Sequence, residues 1–198
     1  MDFDVPDAKP TMVCRPPTIN GTVTSVKNTD EVKRMPGITD IAVITHGVAV
    51  RGETFGQCID AITALDVSWG PGTVDNESDE SVLHKLKAAA LPLAAPAALT
   101  KSIDAEFTFA FASNSPLEPD CAVADVRSHR AEIWSSLKVP IAAQVEIAQL
   151  LGLPQDALTV HVTQGGGSFG RHLFHDVAAE AAEASQKMGK PVKLMWSR

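Results

Sequence analysis

The chain has 198 residues, 44% of them hydrophobic, with few aromatics, no tyrosine, and a formal charge of −7 from 24 acids against 17 bases. That content suits one large or two small globular domains, and the acidic balance argues against nucleic acid or an anionic membrane as a partner. No apolar run approaches the ~20 residues of a spanning helix and no secretory leader precedes the first predicted strand, so membrane insertion is not expected and the compartment is left open. Cys14, Cys58 and Cys121 are odd in number and lack CxxC spacing, which points to separate thiols, not a disulfide framework.

In chain order, the prolines at 6, 10, 16 and 17 favour an extended lead-in. Thr22 to Val26 and Ile38 to Thr45 read as strands around a Met35-Pro36-Gly37 turn, and Val48 to Val50 as a further strand edge. Thr54 caps a predicted helix through Ala64, with Phe55, Ile59 and Ile62 on one face, and Leu65 to Trp69 returns as a strand. Gly70-Pro71-Gly72 and the acidic run from Asp75 to Glu80 close this α/β region. Ser78 caps a short helix to Ala90, followed by an alanine- and proline-rich connector. Partial alternation predicts a strand from Ile103 to Phe111, broken before a second strand from Cys121 to Val126.

The remainder reads β-α-β-α-β: strand Ala131 to Ser135, helix Pro140 to Leu151, strand Leu158 to Val162, a glycine turn, helix Asp176 to Met188, strand Val192 to Trp196. Proline suits the first turn of the first helix, while Gly152 with Pro154 and Gly189 with Pro191 stop the two helices.

The turn Gly165-Gly166-Gly167-Ser168-Phe169-Gly170-Arg171 carries the chemistry. Without Cβ atoms its glycines let backbone N–H groups converge on an oxygen-rich ligand, and a helix N-terminus behind it would add positive potential. Phosphate or pyrophosphate is the expected guest. The spacing Gly165-x-Gly167-x-x-Gly170 also fits a dinucleotide-binding turn for NAD or FAD, but the following strand ends Leu194 to Arg198 with no ribose-binding acid. A ligand-free tight turn is the plain alternative. His172, His175 and Asp176 are close enough for a metal reading, although surface histidines at a helix start are the commoner case. Glu118, constrained by Pro119, is a carboxylate that a cleft could receive. No nucleophile elbow, P-loop lysine or paired carboxylates occur, so a noncatalytic interaction module also stays open.

Taken in order, Leu117-Glu118-Pro119, Ile133-Trp134-Ser135, Leu151-Gly152-Leu153-Pro154, the glycine turn with Phe169-Gly170-Arg171, and Pro191-Val192-Lys193 through Trp196-Ser197-Arg198 resemble the molybdenum hydroxylases. The likeness is to the large, molybdopterin-binding subunit of the xanthine dehydrogenase and aldehyde oxidase family, in the branch of the isoquinoline 1-oxidoreductase β subunits. Arg15-Pro16-Pro17, Met35-Pro36-Gly37 with Ile38 and Ile41, Gly47-Val48-Ala49-Val50 and Ala64-Leu65-Asp66-Val67 resemble the same family's α/β hammerhead domain.

The resemblance implies a mixed α/β fold: a lead-in at 1–12, a hammerhead-like domain at 13–72, a linker at 73–99, and the first part of a molybdopterin-binding domain at 100–198. It implies an internal piece of a longer subunit, inactive alone, whose parent oxidises aldehydes or N-heterocycles with water as oxygen source. Electrons would pass to iron–sulfur clusters on a partner subunit. Gly166, Gly167, Phe169, Gly170 and Arg171 would lie beside a molybdenum pterin cytosine dinucleotide, and Glu118 on the substrate side; no catalytic or metal-ligating residue is assigned. Ser168 stands where the family usually has a third glycine, Lys138 where it often has glutamine, and Asn114 and Leu117 where it has histidine and methionine.

Overall fold

The computed structural model describes residues 3–92, 101, 103, 105–110, 112 and 116–197. It divides into two compact units, Met1–Thr73 with Asn114–Arg198, and Val74–Ser113. In the smaller unit, Ser78 and Ser81 form a reciprocal cap at the start of a helix, α3 (Asp79–Ala89), that buries none of its side chains. Glu77 pairs there with Lys85, and Lys87 with Glu106 at 2.7 Å. The strand expected from Ile103 to Phe111 is not formed at 103 or 105–110, and Phe107 and Phe109, which pairing would have set on one face, are exposed; positions 104 and 111 and the tail of the connector lie outside the described residues.

The larger unit is built on seven strands: β1 (Lys9–Cys14), β3 (Ile38–Ile44), β4 (Gly47–Gly52), β6 (Cys121–Val126), β7 (Ala131–Ser135), β8 (Leu158–Val162) and β9 (Val192–Met195), in the order β3-β4-β1-β9-β6-β7-β8. Segments 13–72 and 100–198 therefore share one sheet. β2 (Val23–Val26) and β5 (Val67–Trp69) make a separate antiparallel ribbon. The sheet is mixed. β7 runs parallel to β8, and β1 to β9, while β6 runs against both β7 and β9. That is not the parallel sheet of a dinucleotide-binding fold.

Helices α4 (Pro140–Leu151) and α5 (Asp176–Met188) follow the punctuation of the sequence, each ending on a left-handed glycine, Gly152 and Gly189. Their small residues let them lie close to the sheet: Ala143, Ile147 and Ala148 from α4, and Val177, Ala178, Ala181, Ala182 and Ala184 from α5, pack with Ala124, Ile133, Leu158, Val192 and Leu194. Buried Ser185 is satisfied, accepting from the Val126 amide and donating to the Lys190 carbonyl, both at 2.9 Å. A second, smaller core joins Val32, Val50 and Ala61, the last from α2 (Phe55–Ala64), whose start is closed by a Thr54–Gln57 capping box. Val32 lies on a short helix, α1 (Thr29–Lys33), that the sequence pattern did not reveal.

Two differences position the site. The proline-rich lead-in contributes β1, a central strand whose Thr11 pairs with Arg51 on one side and Leu194 on the other. The glycine turn does not open α5 directly, because a 3₁₀ turn at Arg171–Leu173 and two further residues intervene, and His175 gives α5 no side-chain cap. The dipole of α5 is thereby withdrawn from the glycines.

Candidate functional site

Because β1, β7, β8 and β9 share a direction and β6 opposes them, the residues after those four strands and before β6 meet along one rim of the sheet. Arg15 follows β1, Ser136 follows β7, Gly165 to Gly170 follow β8, Trp196 follows β9, and Glu118 and Asp120 precede β6. The end of parallel strands is where open α/β sheets place ligands.

The turn presents bare backbone. Gly165, Gly166 and Gly167 are all exposed. An added Cβ on Gly165 would fall 2.5 Å from Ser136 Cβ, on Gly166 3.0 Å from Glu118 Cβ, and on Gly167 2.8 Å from the Phe169 ring. Among the described residues the amides of Gly165 and Gly167 meet no acceptor, whereas the Gly166 amide donates to Glu118 Oε2. That bond holds the Glu118 carboxyl below its usual range. Phe169 is 69% exposed and sits at φ 46°, a left-handed conformation costing an L-residue about 1–2 kcal/mol. Ser168 is buried beneath it: its Oγ accepts the His172 amide at 3.1 Å and its carbonyl the Arg171 amide at 2.8 Å. The serine in the glycine's place thus braces the turn from below.

Arg171 is engaged by two carboxylates. Its guanidinium pairs with Asp120 at 3.4 Å and with Asp176, and lies 4.8 Å from the Trp196 ring centre. His172 Nε2 meets the other Asp120 oxygen at 3.0 Å, and His175 goes to Glu146 at 3.1 Å. The His172, His175 and Asp176 side chains accordingly serve different partners, and among the described residues no group of three or more metal-ligating side chains occurs. Behind Trp196, Glu180 accepts both Arg15 nitrogens at 2.6 Å and the Trp196 indole N–H at 2.7 Å. Sequence reasoning gave no role to Asp120, Glu180, Arg15 or Trp196; Asp120, at the start of a predicted strand beside Glu118-Pro119, carried the one usable hint.

Beside the turn lies a cleft of about 750 Å³ lined by Glu118, Trp134, His161, Thr163, Gln164 and Gly165, with Phe3 at its wall. Trp134 and His161 stack with ring centres 4.9 Å apart. Lys138 is exposed, and its amide donates to the His172 carbonyl at 3.0 Å; Leu117 is also exposed, and Asn114 lies outside the described residues. The structure therefore brings Glu118 to Gly166 and Phe169 to Gly167, and pairs Arg171 with Asp120 and Asp176.

Main-chain amides on exposed glycines, two of them without an acceptor among the described residues, suit the oxygens of an anionic organic cofactor. The model of one family, the molybdopterin cofactor-binding domain, matches residues 79–198, more than half of the chain. The chain belongs to that family. Over its full length the chain is 30% identical to the beta subunit of isoquinoline 1-oxidoreductase from Brevundimonas diminuta, of which it covers 28%. It is 24% identical, over 84% of its length, to the B subunit of nicotinate dehydrogenase from Pseudomonas putida, covering 15% of that protein. The chain thus spans less than a third of either relative. In structure, 98% of it superposes on 31% of quinoline 2-oxidoreductase from Pseudomonas putida 86 with a TM-score of 0.71 at 14% identity, a likeness of fold. The family expected from the motifs and the mixed α/β class are both borne out.

Proposed function

We propose that this chain forms one wall of the active site of a molybdenum hydroxylase that oxidises aldehydes or N-heterocycles, taking the added oxygen from water. The observation that carries the reading is the pair of amides, Gly165 and Gly167, that meet no acceptor among the described residues, the first of them on a residue lining the 750 Å³ cleft. When bound, the molybdenum–pterin group supplies the two-electron oxidation. The chain's own residues bind, orient and exclude water. Gly166, Gly167 and Gly170 would let the backbone approach the cofactor, in its cytosine dinucleotide form, and the exposed Phe169 ring would pack beside it. Arg171 fixes the far side of the turn through Asp120 and Asp176, and offers the cofactor the field of a guanidinium already partly neutralised. Glu118 faces the substrate at the cleft mouth. An iron–sulfur partner subunit receives the electrons.

The test is made on the full-length parent subunit, with its partner, isolated from cells that synthesise the molybdenum cofactor. Expected are molybdenum by elemental analysis, a fluorescent pterin and CMP on acid hydrolysis, and ¹⁸O from labelled water in the product of an aldehyde or isoquinoline. Stoichiometric NAD or FAD with neither molybdenum nor pterin would overturn the proposal. A protein partner bound in the absence of any cofactor would favour the interaction-module reading instead.

A further inference from the structure

The glycine turn ends on a strained step. Phe169 at φ 46° and Gly170 at φ 93° are consecutive left-handed residues just before Arg171. A left-handed phenylalanine persists only where its neighbours over-determine it. Downstream, the Arg171 and His172 amides donate to the Ser168 carbonyl and hydroxyl, and the Leu173 amide to the Gly170 carbonyl. The Arg171 side chain is the second anchor on that side. Its pair with Asp176 involves a half-exposed carboxylate and holds it weakly, and it shares Asp120 with His172. Trp196 adds a third hold. Its ring centre lies 4.8 Å from the Arg171 guanidinium carbon and 4.5 Å from that of Arg15, so one indole serves both guanidinium groups. The ring is itself fixed, because the Trp196 amide donates to the Asp120 carbonyl at 3.0 Å and its indole N–H to Glu180 at 2.7 Å.

We propose that Trp196 is a positioning residue for the candidate site: as a shared aromatic plate for Arg15 and Arg171 it holds the downstream end of the glycine turn in shape, and ties that shape to the end of β1. Its value to a cofactor rests on reading the turn as a cradle; the positioning itself does not. The arrangement joins residues from opposite ends of the chain. Arg15 follows β1 and is forked onto Glu180 of α5, Trp196 follows β9, and Arg171 follows the glycines, so the turn is braced by the two parallel strands that meet beside it. A ring that only filled space would be replaceable by an aliphatic side chain, whereas a plate for two guanidinium groups needs an aromatic face. That difference separates positioning from bulk.

Trp196→Leu and Trp196→Met remove the aromatic face, the second with a side chain that adapts to the gap; Trp196→Phe keeps the face and gives up only the indole N–H. Amide exchange is followed by NMR in the ¹⁵N-labelled 198-residue chain. The Arg171, His172 and Leu173 amides should exchange about tenfold faster in the Leu and Met variants and within about twofold of the parent rate in Trp196→Phe. The Lys27 and Leu153 amides, bonded to the Asp66 and Ala148 carbonyls away from the turn, should keep their parent rates. The Arg15 and Arg171 Nε–H resonances, displaced by the ring current, should relax to ordinary positions in the Leu and Met variants alone. In the full-length subunit with its partner, pterin per subunit should fall about threefold or more in those two variants and hold in Trp196→Phe. Unchanged exchange at the turn in the Leu and Met variants, equal acceleration in Trp196→Phe, acceleration spread evenly to Lys27 and Leu153, or undisplaced arginine resonances in the parent chain would each overturn the proposal, as would full pterin in Trp196→Leu. Absence of pterin from the unsubstituted subunit counts against the proposed function alone, because exchange and resonance positions need no cofactor and decide the positioning by themselves.

Discussion

Glu180 offers a sharp test of how the rim is held together. Its side chain is only 7% exposed, and it accepts from Arg15 twice and from Trp196 once, at 2.6 to 2.7 Å. Replacing it with alanine removes a charge-assisted fork and leaves an indole N–H on a half-buried ring without its acceptor. Losing one partner of a fully buried pair costs about 3–5 kcal/mol. The Arg15 side chain is 38% exposed and regains water, which trims the pair's share to about 2 kcal/mol. The orphaned indole adds about 1 kcal/mol. For a chain of 198 residues, a total near 3 kcal/mol lowers the melting temperature by about 6–12 °C. Glu180→Gln, which retains one acceptor, should fall between. Differential scanning calorimetry at pH 7 makes the measurement, with Arg15→Ala and the double variant completing a cycle. A drop of less than about 2 °C in Glu180→Ala, or strict additivity with Arg15→Ala, would refute the argument that this carboxylate couples β1, α5 and the residue after β9.

Two further outcomes follow from geometry. Gly165→Ala sets a methyl 2.5 Å from Ser136 Cβ and should destabilise by about 1–3 kcal/mol, largely relieved in the double variant with Ser136→Gly; denaturant unfolding of the single and double variants checks this. Burial pushes the Asp40 carboxyl up, but its bonds to Lys190 and Thr39 and the nearby Arg51 outweigh that and hold it below the usual range. Its contribution to stability is therefore full above the unfolded carboxyl value of about 4 and is lost as pH falls through the lower folded value, so the gap in melting temperature between the parent chain and Asp40→Asn should close on acidification below about pH 4.

Local chemistry made much of this fold readable in advance. Pro140, Gly152 and Gly189 set the bounds of α4 and the end of α5, and Thr54 and Ser78 the starts of two others, because caps act on the residues beside them. The unread parts depend on distant neighbours. β1 is a strand because Lys9 to Thr11 find β9 and Thr11 to Cys14 find β4, and no periodicity in a proline-rich stretch announces that. α1 has too few residues for a pattern and is defined by burying Val32. At the site, the exposed glycine turn was legible, but the bond from Gly166 to Glu118 and the partners of Arg171 were not. Two carboxylates share Arg171: Asp176, five positions on, and Asp120, more than fifty positions earlier in the chain, which also takes His172. A charged residue beside a glycine turn reads as a ligand contact until its counter-ion is located.

The pairing of β1 with β9 has a kinetic consequence. Lys9 meets Val192 and Thr11 meets Leu194, so the strand made among the first has no partner on one side until nearly all of this segment has left the ribosome. Closing so wide a loop is slow. During synthesis the β1 edge stays open to wrong partners, and a chaperone that shields it should raise the yield of native protein more than one acting on the ordered α4–β8 region.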